Sequence, residues 1–366
     1  MKRLFSFFRN DLFFSISLLL AIIAVTLGRF SIQDINIKVI ATLGVLMLII
    51  SGLDSTGILS YFGQVLVKKS LTLRQLIRYI VLLSFFSSMF LTNDVAILTL
   101  LPIYLRMTKV IANRQSVLLG SVYIIIAANL GSSFFPFGNP QNLFLYSYYD
   151  IPLLEFFYST GLLAVLSLVL LMVSIQFIPK ESLSLTITSN PFDHQKAVIY
   201  GLLMVVMIAG VFSIIPYLIA FIIVAAIVLF WQPQLFRKVD YRLLCTFAFF
   251  FIIVGNLSQS EELINWLQKT FTNPVNTLLD GILASQVISN VPAAILLAPF
   301  TKYHQSILLG VNIGGLGTLI ASLANLIGYK IVRIQIPNDC KLFTRNFYLI
   351  NIIYLTLLTI VISFIV

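Results

Sequence analysis

Apolar runs long enough to cross a bilayer recur from one end of this 366-residue chain to the other. They cover roughly 12–30, 36–52, 115–149, 152–178, 197–214, 217–231, 243–258, 306–329 and 346–366, with two further stretches at about 79–105 and 275–300. A membrane helix needs about 20 such residues. Only 10% of the residues are charged and 59% are hydrophobic, against about 25% charged in a soluble domain. That is too little charge to cover a water-facing surface, and too much apolar sequence for disorder. A transmembrane barrel alternates polar and apolar residues, and these runs do not. The expected fold is an all-α polytopic membrane protein with roughly nine spanning helices and almost no extramembrane domain. Transporters, channels and membrane-embedded enzymes fit that shape.

The net charge of +10 does not indicate nucleic acid, because the basic residues sit in short loops between apolar runs, where positive-inside bias accounts for them. One set of loops carries 19 of the Lys and Arg residues, from Lys2, Arg3 and Arg9 to Lys330, Arg333, Lys341 and Arg345. The opposite set carries only Arg29, Lys38, Lys269 and Lys302. The first set therefore faces the cytoplasm, which predicts a multi-pass cell-membrane protein with its N-terminus inside and its C-terminus outside. No small-residue cleavage site follows the first run, so it reads as a retained helix. Cys245 and Cys340 do not suggest a disulfide framework.

This orientation constrains the stretch 79–105. Lys68 to Arg78 precede it, Arg106 to Arg114 follow it, and both clusters belong inside. A single spanning helix would place one of them outside. A re-entrant helical hairpin resolves the conflict, with the polar Thr92-Asn93-Asp94 at its tip; the alternative is one long tilted helix with a buried polar cluster. The stretch 275–300 behaves in the same way from the outer side, with Ser289-Asn290-Val291-Pro292 at its middle and Pro292 suited to the first position of a new helix.

The two tips align: Asn93 meets Asn290, Ala96 meets Ala293 and Pro102 meets Pro299. The following segments align as well, with Asn129 over Asn312, Gly131 over Gly314 and Asn142 over Asn325. Each half reads as two helices, an amphipathic segment (about 53–67 and 257–270), a hairpin, an interrupted helix and a plain helix. The predicted organisation is an inverted repeat: 1–178 as the first half, 179–216 as a linker loop and extra helix that supplies the inversion, and 217–366 as the second half. Such repeats place a substrate site at their interface in secondary transporters.

The run 115–149 is too long for one untilted span, and Gly131, Pro136, Gly138 and Pro140 in its centre should unwind it. Its partner, 306–329, carries Gly314, Gly315 and Gly317, which permit unwinding or tight helix packing. Exposed carbonyls suit a cation such as Na⁺, and half-helix N-termini suit anions. The candidate cation sites are Asn93 with Asn129 and Gly131, and Asn290 with Asn312 and Gly314. The candidate substrate contacts are Thr92, Asn93, Asp94, Asn142, Ser289, Asn290 and Thr318, whose amides and hydroxyls match an oxygen-rich solute. Asp94 is an intramembrane carboxylate and so a functional candidate: a proton carrier, a Na⁺ ligand or a helix cap.

At these residues the chain resembles the ion-transporter superfamily, which includes divalent anion/sodium symporters, citrate transporters, arsenite efflux permeases and sodium/proton antiporters. Thr92-Asn93-Asp94-Val95-Ala96 with Pro102 is similar to the first hairpin motif, Gly138-Asn139-Pro140-Gln141-Asn142 to the broken-helix motif, and Ser289-Asn290-Val291-Pro292 to the second hairpin. The resemblance implies a scaffold, a moving transport domain with elevator-type access, homodimerisation and Na⁺ at the sites above. Symporters for divalent anions carry Ser-Asn-Thr at both tips, whereas Asp94 and Val291 stand at the third position here, which argues against a dicarboxylate. Arsenite permeases share the Asn-Asp pair. The function expected is secondary active transport of a small anion or oxyanion coupled to Na⁺ or H⁺, with no other cofactor; the alternatives are a Na⁺/H⁺ antiporter using Asp94 or an arsenite-type efflux permease. An enzyme is disfavoured, because the chain has no His-Glu-x-x-His, Gly-x-Ser-x-Gly or Walker motif, and His194 and His304 fall in separate loops.

Overall fold

The computed structural model describes residues 12–109, 111–183, 191–260 and 270–366. The described residues form helices joined by short connections and contain no strand beyond an isolated bridge, Thr72 to Ser182. In chain order the helices are α1 (Leu12–Leu27), α2 (Ile37–Ser55), α3 (Ile58–Lys68), α4 (Leu73–Leu91), α5 (Asn93–Met107), α6 (Arg114–Gly131), α7 (Pro140–Tyr148) and α8 (Leu153–Gln176). They continue with α9 (His194–Val211), α10 (Tyr217–Trp231), α11 (Tyr241–Leu257), α12 (Pro274–Ile288), α13 (Asn290–Leu297), α14 (His304–Gly314), α15 (Leu323–Gln335) and α16 (Cys340–Ser363).

Local sequence sets many of the starts. Asn36, Thr72, Asn113, Asn139, Asp193, Asp240 and Asn273 each cap a helix by accepting the backbone N–H three residues on, which satisfies a donor that has no partner within the helix. Pro140 and Pro274 open α7 and α12, where the missing N–H costs nothing. Six helices among the described residues are long and apolar enough to cross a bilayer. α1, α10 and α11 are of 16, 15 and 17 residues, or about 22–26 Å at 1.5 Å per residue, just short of a full span. Apolar side chains on the outer faces of α8 and α10, such as Leu154, Val169, Leu218 and Ile222, are exposed. Such faces belong against lipid rather than water. α6 is buried over 83% of its apolar window, far more than any other long helix, so it forms the centre of the molecule.

Both hairpins are present, and the first is wider than the apolar patterning indicates, while the second keeps close to its expected bounds. The first pairs α4 with α5 over 73–107, and the second pairs α12 with α13. Arg74 and Arg78 lie inside α4 rather than in a loop, and the Arg74 guanidinium donates to the Ile178 carbonyl just beyond the end of α8. The tips are tighter than three polar residues: Thr92 and Ser289 alone separate the helices, while Asn93 and Asn290 begin the return helices. Pro292 is the third residue of α13, not the first. The position tolerates it because N–H groups of a first turn have no intrahelical acceptor. The amphipathic segment expected at 53–67 is α3, displaced to 58–68 because α2 continues to Ser55. Its counterpart at 257–270 falls mostly outside the described residues.

The interrupted helices break as the Gly and Pro content predicts. Residues 132–139 separate α6 from α7, and 315–322 separate α14 from α15, eight residues in each case. The first helix of each hairpin packs most extensively on the helix that precedes the break of its own half, α4 on α6 and α12 on α14. The return helices cross over: α5 packs on α15, and α13 packs on α7. Each hairpin thus grips the helix that follows the break of the other half.

Candidate functional site

The hairpin tips and the two breaks meet in one buried polar region. Asn129, on the last turn of α6, is its first node. Its Oδ1 accepts from Asn93 Nδ2 at 3.0 Å and from Ser322 Oγ at 2.9 Å. Its Nδ2 donates to Asn325 Oδ1 at 2.8 Å and to the Ile125 carbonyl at 3.3 Å. Asn312, at the same place on α14, repeats the pattern. Its Oδ1 accepts from Asn139 Nδ2 at 3.1 Å, and its Nδ2 donates to Asn142 Oδ1 at 2.7 Å and to the Leu308 carbonyl at 2.8 Å. Asn142 and Asn325 then turn their own N–H groups to the carbonyls of the breaks. Asn142 reaches Ser133 and Phe135, and Asn325 reaches Gly315 and Thr318. Asn129, Asn142, Asn312 and Asn325 are all nearly or wholly buried. Unwound backbone costs several kcal/mol per unsatisfied group in lipid, and these amides remove that cost.

Both tips abut this network. Asn93 reaches it through Asn129. Asn290 reaches it by its backbone N–H, which donates to the Ala321 carbonyl at 2.9 Å, and its amide lies beside Gly315. Asn129, Ser322 and Ala321 therefore bridge tip to tip. Thr92 (φ 69°, ψ 156°) and Ser289 (φ 73°, ψ 153°) share one backbone conformation, in a region normally occupied by glycine alone. Two side-chain-bearing residues held there at matching positions are a sign of constraint at a working site.

Several expected groups are already engaged by the protein. Thr318 donates its hydroxyl to the Gln286 carbonyl, and its own carbonyl receives Asn325; it faces into the fold of its own break. Gly131 and Gly314 serve close packing. A Cβ on Gly131 would stand 2.1 Å from the Phe85 carbonyl oxygen, and one on Gly314 would stand 2.7 Å from Ser285. The Gly131 carbonyl accepts from the Phe134 N–H. Other groups remain free. Among the described residues, the Thr92 hydroxyl, the Asp94 carboxylate and the Asn290 amide have no hydrogen-bond partner. Asp94 is in the first turn of α5, where the helix dipole favours an anion. Asn139 and Ser322 are further members that the polar tips and glycines did not single out. The periodic cue lay in the alignment itself, since each stands ten residues after its Asn node. His304 is not in a loop: it begins α14 and pairs with Glu155 at 2.6 Å, away from the amide network.

A helical protein with apolar outer faces, paired hairpins and facing breaks has the architecture of a multi-pass membrane transporter. The chain belongs to the citrate transporter family, whose pattern matches residues 13–306. It is similar to an uncharacterized transporter of Methanocaldococcus jannaschii, 32% identical over 87% of this chain and 88% of that protein. It is also similar to the inner membrane protein YbiR of Escherichia coli, 30% identical over 86% of this chain and 83% of that protein. The family and the archaeal relative are transporters, not enzymes.

Proposed function

We propose that the chain is a secondary active transporter that moves a small anion or oxyanion and couples it to Na⁺ or H⁺. One observation carries this reading. The amides of the breaks are spent on one another, while among the described residues of the tips and breaks the Thr92 hydroxyl, the Asp94 carboxylate and the Asn290 amide stay free, all of them at the tips. No Lys or Arg belongs to the network, so a solute there meets amides, hydroxyls, helix N-termini and one carboxylate. Donors of that kind suit an oxygen-rich solute, and the carboxylate suits a cation or proton that accompanies it. The matched tips and breaks support two inverted halves, and the crossing of α5 onto α15 and α13 onto α7 supports their movement as one unit past the other helices. The distribution of Lys and Arg supports an internal N-terminus.

Asn93→Ala and Asn290→Ala, reconstituted in liposomes, should each impair uptake while the protein remains folded and inserted. Wild-type uptake kinetics in both would remove the tips from the mechanism. A second reading, Na⁺/H⁺ exchange through Asp94, is favoured by the lack of a hydrogen-bond partner for that carboxylate among the described residues. Citrate, arsenite and Na⁺ offered separately under a pH gradient discriminate between the two.

A further inference from the structure

The two hairpins differ in what their first helix inserts into the neighbouring break. Gln286 lies on α12, one turn before the second tip, and its amide is inserted into the break. Nε2 donates to the Gly314 carbonyl at 2.7 Å, the Leu316 carbonyl at 3.1 Å and the Ile282 carbonyl at 3.3 Å. Oε1 accepts from the Thr318 N–H at 2.9 Å. Gly317, with φ +92°, leaves room for it, because a Cβ there would stand 2.3 Å from Oε1. Three carbonyl oxygens converging on one centre is the arrangement a bare cation takes from a protein backbone; here a partly positive NH₂ group occupies that centre.

The matching residue of the first half is Met89, at the same distance from its tip. Its thioether donates nothing. The Gly131 carbonyl, equivalent to that of Gly314, receives only the Phe134 N–H at 3.1 Å. The Ser133 carbonyl, equivalent to that of Leu316, is taken by Asn142. Among the described residues, no side chain of the first half bridges these two carbonyls as Gln286 bridges those of Gly314 and Leu316.

We propose that the Gln286 amide is a permanent substitute for a cation in the second half. It holds the second break closed without an ion, so any coupling cation is confined to the first half. The confinement rests on the cation-coupled reading above; the substitution itself does not.

The test is thermal unfolding of the purified full-length protein during a NaCl titration, with choline chloride holding ionic strength constant. Wild type should respond to Na⁺ with a Hill coefficient of about 1, or not at all. Gln286→Glu turns a donor into an acceptor that faces acceptors. It should unfold at lower temperature in choline and recover as Na⁺ is added, by mass action. Gln286→Met copies the first half and should raise the Hill coefficient above about 1.5; it decides the matter alone should the Glu variant fail to fold. A wild type indifferent to Na⁺ together with a responsive Glu variant would uphold the substitution and remove Na⁺ coupling from the first half. A wild-type coefficient near 2, or variants whose Na⁺ response matches wild type, would overturn the proposal.

Discussion

The reciprocal amide bonds between the halves should be measurable as two equal coupling energies. Asn129→Ala removes both hydrogen-bonding ends of a buried side chain and leaves Asn93 Nδ2, Ser322 Oγ and Asn325 Oδ1 without that partner. Orphaned buried groups cost about 1–3 kcal/mol each in soluble proteins. Interhelical bonds in a bilayer average nearer 0.6 kcal/mol, with about 1.7 as the upper end. The membrane values govern here, because the unfolded chain in lipid also finds partners. Three groups then give a loss of about 2–5 kcal/mol. Asn325→Ala should lose somewhat less. The double variant should cost less than the sum, leaving a coupling of about 0.6–1.7 kcal/mol for the 129–325 pair. The Asn142 and Asn312 cycle, built on a bond of 2.7 Å against 2.8 Å, should agree within about 0.5 kcal/mol. Asn129 with Asn142, which share no hydrogen bond, should be additive. The assay is reversible unfolding in mixed micelles followed by circular dichroism. Additivity in both cross-half cycles would refute the reasoning, as would equal coupling in the 129–142 control.

Two further outcomes can be checked more simply. Gly131→Ala forces a Cβ to 2.1 Å from a backbone oxygen, whereas Gly314→Ala meets chiefly the Ser285 side chain at 2.7 Å. The first should cost about 3 kcal/mol or more and the second about 1–2 kcal/mol, in line with overpacking elsewhere, with Ser285→Gly restoring the second but no equivalent change restoring the first; melting temperatures decide. Asp94→Asn keeps the shape of the tip and removes its charge, so liposome flux should lose its dependence on the cation or proton gradient while solute binding persists; unchanged gradient dependence would exclude Asp94 as the coupling group.

Much of the architecture was legible in the sequence because lipid imposes simple rules. Basic clusters on both flanks of 79–105 pointed to a chain that turns back on itself, and α4 and α5 do pair as a hairpin about Thr92. Prolines and glycines at 131–140 announced the first break, since each removes or weakens a helical hydrogen bond. What the alignment of Asn129 with Asn312 did not reveal is that each bonds to the other half, at Asn325 and Asn142. An amide carries no periodic mark of its partner, and that pairing follows only from the crossing of the return helices. Gln286 was unreadable for the same reason: one polar residue on an apolar helix predicts that a partner exists, not which carbonyls supply it. Arg74 and Arg78 concealed the true start of α4, because a long cationic side chain can leave its backbone helical and reach outward for a carbonyl.

The backbone of the tips carries the last prediction. Thr92 and Ser289 occupy a conformation whose cost for a residue with a Cβ is about 1–3 kcal/mol, and a β-branched threonine belongs at the higher end. Glycine would occupy it without strain. Thr92→Gly should therefore raise stability by about 1–2 kcal/mol, reduced by the greater freedom glycine gives the unfolded chain, and Ser289→Gly should raise it less, because it also loses the 3.4 Å contact from Ser289 Oγ to the Ala321 carbonyl. If the strain merely accompanies a tight turn, the glycine variants gain stability and transport normally. If the hydroxyl is held there to meet solute, Thr92→Gly gains stability and loses uptake, and Thr92→Ser recovers uptake while retaining part of the gain. A retained hydroxyl at a strained position makes sense only where the group works, so a more stable and fully active Thr92→Gly would separate the geometry of the tip from its function.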